Sequence, residues 1–162
     1  MRHLKLVSSQ ASVKESAQLK IAFASSDRHT VNQHFGAAQA FVVFNLSQGH
    51  FQLAEVVEFS GESVLQDGQE GKLEAKVRLL DSCAAVYCNA VGASAIRQLL
   101  AENIQPLKVE PGTVIENLLK DLQQLWDQEP PVWLERSLRQ QQRPAERFAG
   151  MADQDWQQEE WH

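Results

Sequence analysis

The segment Ser25–Gly36, SSDRHTVNQHFG, concentrates side chains that are able to do chemistry. It holds two histidines, His29 and His34, together with serine, aspartate, arginine and asparagine. Such a composition is typical of a catalytic loop, a metal or cluster site, or a long hydrophilic turn. The segment directly follows the apolar run Leu19–Ala24, so its chemistry depends on what the neighbouring elements place beside it.

The chain has two cysteines, Cys83 and Cys88, at the ends of the apolar run CAAVYC. Two are too few for a disulfide framework, which favours a reducing cytoplasm. In a strand that rises about 3.3 Å per residue they are roughly 16 Å apart, and their odd separation predicts opposite faces. We therefore predict that Cys88 is a candidate ligand and that Cys83 belongs to the core.

The hydrophobic pattern predicts strands and helices that would position these residues. LKIAFA reads as a strand, and FVVFNL and HFQLAEVVEF, joined by a short turn, read as an antiparallel hairpin. Pro106 confines its own strand to a sheet edge, and Thr113 with Glu116 forms a predicted capping box. The remaining elements are helices over 69–80, 92–103 and 113–128 and strands over 83–88 and 104–109.

This order predicts one α/β domain, with a mixed sheet of about five strands and helices on its faces. If Leu19–Ala24 and Cys83–Cys88 are neighbouring parallel strands, their carboxyl ends share one edge of the sheet. Ligands gather at that edge in open α/β sheets. His34 and Cys88 would then converge. The small-residue turn GASAI, which begins at Gly92, would either offer backbone N–H groups to an anion or form an ordinary tight turn.

The bulk properties limit the function. A formal net charge of −6 argues against a protein that coats nucleic acid. No apolar run approaches the ~20 residues that cross a membrane, so we expect a cytoplasmic protein. We divide the chain into a mobile leader (1–18), an α/β domain (19–128) and an acidic, helical or disordered tail (129–162).

Enzymatic motifs are scarce. The sequence contains no G-x-S-x-G, H-E-x-x-H or phosphate-loop pattern, and it offers no four-ligand cluster for structural zinc. A cysteine- or metal-dependent hydrolase that uses His34 and Cys88, with Asp27 as the orienting acid, remains an alternative. A ligand-free regulatory module acting through the tail is another. From the residues alone, the prediction is a site with one imidazole and one thiolate.

Two stretches resemble a known family: IAFASSDRHTVNQHFGAAQAFVVFNL, with its His-Phe-Gly loop, and CAAVYCNAVGASAIRQLLAENIQPLKVEPGTVIENLL. They are similar to the nitrogenase iron–molybdenum cofactor-binding family over roughly residues 19–128. The tail RPAERF…EEWH resembles that of the NifX-type members. The resemblance implies a ribonuclease-H-like α/β fold without enzymatic activity.

It also implies a carrier that binds an iron–sulfur precursor cluster and transfers it to the cofactor-assembly scaffold complex, with the precursor-synthesising enzyme as a second partner. A carrier needs few ligands, because four thiolates would hold the cluster firmly. His34 is the expected ligand, Cys88 is tentative and His29 ranks second. We expect a monomer, with the tail as a docking arm. The other expected cluster-binding residues are Ser25, Ser26, Arg28, Asn32, Phe35, Gly36 and Gly92.

Overall fold

The computed structural model describes residues 17–59 and 68–142, which fold around a five-stranded mixed sheet of order β4-β3-β1-β5-β6. This confirms the predicted fold class. The sheet strands are β1 (Leu19–Ala24), β3 (Ala40–Ser47), β4 (His50–Glu58), β5 (Cys83–Cys88) and β6 (Gln105–Lys108). A separate two-stranded sheet pairs β2 (Thr30–Val31) with β7 (Thr113–Val114). The helices are α1 (Gly68–Leu79), α2 (Ala93–Ala101), α3 (Ile115–Asp127) and α4 (Val132–Gln142).

The strand pairing follows the sequence pattern closely. β3 and β4 form the predicted antiparallel hairpin, and β1 lies parallel to β5 as the convergence of the two loops requires. β6, which contains Pro106, is an edge strand. The carboxyl ends of β1 and β5 therefore lie side by side at one edge of the sheet.

Helices cover both faces of the sheet. One core layer contains Val77 and Leu80 near the end of α1 and Ala95 and Leu99 of α2. The other contains buried side chains of α3 and α4, among them Leu134, which is fully buried. The packed core thus continues into the first part of the predicted tail. Residues 1–16 and 143–162, to which most of the leader and tail predictions refer, lie outside the described residues.

The two cysteines lie in the same core layer, so the prediction of opposite faces is wrong. Cys83, Val86 and Cys88 belong to one core layer, whereas Ala84, Ala85 and Tyr87 belong to the other. The physical reason is an irregularity in the pairing with β1, where Lys20 faces Cys83 but Ile21 faces Ala85. The extra residue shifts the alternation by one. Cys83 is nevertheless buried in the core, as expected.

The predicted capping box is also wrong. Thr113 belongs to β7, and its hydroxyl donates a hydrogen bond to the carbonyl oxygen of Glu110 at 2.6 Å. Val114 is the N-cap of α3, with no side-chain cap. Pairing of Thr113 and Val114 with β2 places the helix start two residues later than the local sequence pattern indicates. Among the described residues, no helix is long and apolar enough to cross a membrane.

Candidate functional site

The polar loop after β1 is tied to the chain that leaves β5. The backbone N–H of Asn89 donates to the carbonyl of Gln33 at 2.9 Å, and the N–H of Phe35 donates to the carbonyl of Ala90 at 2.8 Å. His34 lies between these two hydrogen bonds. The sequence-based prediction that this loop meets the end of β5 is therefore correct at the level of the backbone.

Asn89 adds a second connection through its side chain. Its Nδ2 donates to the carbonyl of Val31 at 3.0 Å and to the carbonyl of Val109 at 3.1 Å, and the residue is buried. Buried amides need such partners, because an unpaired polar group costs free energy. Asn89 thus joins the loop to the end of β6.

Asp27 organises the first half of the loop. Its Oδ1 accepts hydrogen bonds from the backbone N–H groups of His29 and Thr30, both at 2.8 Å, and its Oδ2 accepts the Thr30 hydroxyl at 2.7 Å. These donors stabilise the carboxylate and hold the pKa of Asp27 well below its usual range. The predicted orienting acid of a hydrolase is instead the centre of a turn.

Three of the predicted cluster donors direct their hydrogen bonds into the loop itself. The Ser25 hydroxyl is buried; it donates to Asp27 at 3.1 Å and accepts the N–H of Arg28 at 2.9 Å. Asn32 accepts the N–H of Ser26 and donates to its hydroxyl, both at 2.9 Å. Arg28 lies exposed at the tip of the turn with a φ of 68°. These residues shape the loop.

Replacing Asp27 with asparagine is expected to lower the free energy of unfolding by about 1 kcal/mol. This is comparable to the loss of a helix-capping carboxylate. Because folding lowers the pKa of Asp27, its stabilisation is present above the unfolded pKa of about 4 and is lost as pH falls further. Urea midpoints measured from pH 7 down to pH 2 test this. The wild-type midpoint should fall toward that of Asp27→Asn, and a constant gap would contradict the assignment.

Phe35 and Gly36, the second and third residues of the His-Phe-Gly motif, differ sharply in exposure. Phe35 is fully buried, with its ring 5.4 Å from that of Phe41, whereas Gly36 is exposed. Both carbonyls accept hydrogen bonds from the Nζ of Lys76, at 3.2 and 2.5 Å. Lys76 is buried on α1, and its ammonium lies 5.3 Å from the centroid of the Phe59 ring. Burial, reinforced by the charge of Lys72, lowers the pKa of Lys76.

Cys88 lies beneath the loop and is fully buried. Burial raises the pKa of its thiol to about 11, although the nearby N–H groups of Ala90 and Phe35 and the charge of Lys108 oppose the shift. Burial likewise raises the pKa of Cys83 to about 12. His34 is exposed. The structure therefore brings the backbones of His34 and Cys88 together but places their side chains in different environments.

The other predicted ligand, His29, is exposed at the far end of the loop, where its carbonyl accepts the N–H of Ile115 at 2.9 Å. Within the described residues, no three or more histidine, cysteine, aspartate or glutamate side chains are grouped closely enough to hold a metal ion.

A surface cleft of about 410 Å³ opens beside Gly36. This volume lies within the usual range for ligand sites. Gly92 is the N-cap of α2, has no side-chain cap and lines the cleft, so the positive end of the helix dipole lies at the cleft. The described lining includes one cation, Lys72, and no acidic side chain, and it consists of Gly36, Lys72, Leu73, Gly92, Ala93, Ser94 and Ala95. In a chain with a net charge of −6, this lining suits an anion.

Sequence reasoning found Gly36 and Gly92 but missed Lys72, Ser94, Lys76 and Asn89. Ser94 sits in the small-residue turn that the sequence singled out, so the turn itself was the available signal. The sequence signal for Lys72 and Lys76 was weaker: two lysines four residues apart share a helix face. Nothing local connects Lys76 to Phe35, which lies 41 residues earlier.

Fold and site together define an α/β domain with an anion-receptive cleft at the carboxyl edge of its parallel strands. The family described as "Dinitrogenase iron-molybdenum cofactor" matches residues 17–125. The chain belongs to this family, as a NifX-type member. The predicted resemblance is therefore confirmed.

The relatives support this assignment over most of the chain. Protein NifX of Azotobacter vinelandii is 47% identical over 139 residues, which cover 85% of this chain and 87% of that protein. Protein NifX of Klebsiella pneumoniae is 34% identical, covering 89% and 85%. The FeMo cofactor biosynthesis protein NifB of Frankia alni is 28% identical over 60% of this chain and 20% of its own length.

Among solved structures, the crystal structure of PH0822 shares the fold. The TM-score is 0.50 and the sequence identity 23%, and the match covers 65% of this chain and 91% of that chain. At this identity the likeness concerns the fold alone.

Proposed function

We propose that this protein acts in biosynthesis of the nitrogenase iron–molybdenum cofactor as a carrier of an iron–sulfur precursor cluster. It receives the cluster from the precursor-synthesising enzyme and passes it to the cofactor-assembly scaffold complex. Family membership supports the general role, and similarity to part of a protein named for FeMo cofactor biosynthesis supports the link to that biosynthesis.

The observation that carries the proposal is the cleft beside the His-Phe-Gly loop. It combines the uncapped N-terminus of α2 with Lys72 and has no acid in its described lining. An anionic cluster gains from both features, through N–H donors and through charge. The exposed His34, two residues before Gly36, supplies an imidazole ligand. One imidazole with hydrogen-bond donors holds a cluster less firmly than several thiolates, as transfer requires.

The same proposal makes the protein a binder without catalytic activity. The alternative hydrolase needs Cys88 as a thiolate, but this thiol is fully buried and its pKa is raised to about 11. The thiolate is the nucleophile and metal ligand, so these properties favour a structural role for Cys88.

Cys88 is accordingly expected to react with iodoacetamide at least about a hundredfold more slowly than a free peptide thiol at pH 8. A pKa raised from 9.0 to about 11 alone reduces the thiolate by that order, and burial slows access further. Mass-spectrometric alkylation kinetics, with the urea-unfolded chain as the accessible control, measure this. A native rate equal to the unfolded rate would favour the hydrolase instead.

Anaerobic titration of the apoprotein with the isolated molybdenum-free precursor cluster tests the carrier proposal. Visible absorbance should rise to an end point of one cluster per chain. Addition of the apo-scaffold complex should then move the iron to the scaffold fraction on a sizing column. Absence of a saturable end point would overturn the proposal, and tight binding without transfer would overturn the carrier part of it.

Gly92→Asp separates binding from folding. A Cβ at Gly92 meets open space and its φ is −78°, so aspartate fits there. As an N-cap it should stabilise α2 by roughly a few tenths of a kcal/mol, because glycine is itself an acceptable N-cap, while its charge repels an anionic cargo. We expect a higher thermal midpoint with at least tenfold weaker uptake.

Gly49→Asp is the matched control. Gly49 also has open space around it and lies in the turn between β3 and β4, at the opposite end of the sheet. The same change of charge there should leave uptake unchanged. Equal uptake by both variants would show that the cleft is not the binding site.

A further inference from the structure

We infer that Lys76 is a positioning residue, which holds the His34–Gly36 loop in the conformation that presents His34 to the cargo. The second part of this inference, that the fixed loop presents His34 to the cargo, rests on the proposed function. The first part, that Lys76 fixes the loop, rests only on the hydrogen bonds and burial of Lys76.

The contacts of Lys76 converge on one short piece of chain. Its Nζ donates to the carbonyls of both Phe35 and Gly36, at 3.2 and 2.5 Å. These two carbonyls follow His34 directly, and Gly36 also lines the cleft. An ammonium bonded to two successive carbonyls restrains the peptide planes between them, since hydrogen bonds with a charged donor are shorter and stronger than neutral ones.

The loop has an anchor on each side of His34. Before it, the carbonyl of Gln33 accepts the N–H of Asn89; after it, the N–H of Phe35 donates to Ala90. Both anchors join the loop to the chain directly after β5. Lys76 provides the connection to α1, and therefore joins the loop to the helix whose Lys72 lines the cleft.

The burial of Lys76 indicates that it is kept for this purpose and not for stability. The residue is only 4% exposed, and no carboxylate pairs with it within the described residues. Removing an ammonium from water costs free energy that two carbonyls and one aromatic ring offset only in part. An apolar side chain of similar length at position 76 would avoid that cost, so the lysine serves the loop.

Lys76→Met tests this role. The substitution keeps most of the stem and removes the donors, so the urea midpoint should stay equal or rise. Amide exchange at Phe35 and Asn89 should accelerate roughly tenfold, the order expected for one charge-assisted hydrogen bond, while core amides of β1 and β3 keep their protection. Uptake of the isolated precursor cluster should weaken by a similar factor.

Lys120→Met is the matched control. Lys120 is exposed on α3, and its ammonium lies 3.7 Å from the carboxylate of Glu116. It loses the same charge but should change neither loop exchange nor uptake. Lys76→Arg, which retains donors, should restore part of the loop protection.

Amide exchange tests whether Lys76 holds the loop, and cluster uptake tests whether the held loop matters for binding. Unchanged exchange at Phe35 and Asn89 in Lys76→Met would overturn the role of Lys76 in holding the loop. Faster loop exchange with unchanged cluster uptake would overturn the positioning role. A uniform loss of protection throughout the sheet would make Lys76 a general stability residue and also overturn it. If the wild-type protein itself takes up no cluster, the proposed function fails, and loop exchange still decides whether Lys76 fixes the loop.

Discussion

Replacing His34 with alanine is expected to remove stoichiometric cluster uptake, with at least a tenfold loss of affinity. His34 is exposed and its backbone is held between two hydrogen bonds to the chain after β5. The imidazole is therefore displayed on a fixed backbone two residues before Gly36, which lines the cleft. Under the proposed function it is the ligand that hydrogen bonds alone do not replace. Anaerobic titration with the precursor cluster measures the loss.

The substitution should leave folding intact, because surface changes away from packed contacts usually alter stability by less than about 0.5 kcal/mol. His29→Ala is the matched control, since His29 is exposed in the same loop. It should retain full uptake. Equal uptake by His34→Ala and wild type would remove His34 from the site, and a loss only in His29→Ala would exchange the two assignments.

Replacing Phe35 with alanine is expected to be the most destabilising change in the motif. The ring is fully buried and packs against Phe41 at a centroid distance of 5.4 Å. Truncations of this kind cost about 3–5 kcal/mol, through lost burial and the cavity left behind. Phe35 thus contributes to the site as the hydrophobic anchor of the loop, and its side chain is not available to touch cargo.

Urea unfolding followed by circular dichroism measures the Phe35→Ala effect. Phe35→Leu is the control, because it keeps most of the volume and should lose much less stability. A cost below about 1 kcal/mol for alanine would contradict the anchor role, since it would mean that the pocket around the ring closes without it.

The fold was predictable from the sequence because the hydrophobic pattern of each short segment determines whether it forms a strand or a helix. The fully apolar run Cys83–Cys88 is typical of a strand covered on both faces, and in the structure it is β5, between β1 and β6. The parallel pairing of β1 and β5 then placed the His-Phe-Gly loop near Gly92. In contrast, the bulge opposite Lys20 has no local signature, and it moved Cys83 to the face of Cys88.

The site was predictable only in part, because its chemistry depends on competition between partners. Ser25, Ser26 and Asn32 are good donors in isolation, but in the structure they bond within the loop. The Ser25 hydroxyl donates to Asp27, and the Asn32 amide donates to the Ser26 hydroxyl. The short run S-S-D-R-H-T carries the signature of an aspartate-centred turn, which would have indicated this. The contact of Lys76 with the loop joins residues about forty positions apart, and no local pattern predicts it.

The iron content of the protein isolated anaerobically tests the carrier proposal most directly. The cells should make the precursor cluster but lack the acceptor scaffold, so that cargo accumulates on its carrier. We predict iron and visible absorbance corresponding to one cluster per chain in the wild type, and neither in His34→Ala purified in parallel. Iron-free, colourless wild-type protein from these cells would contradict the account.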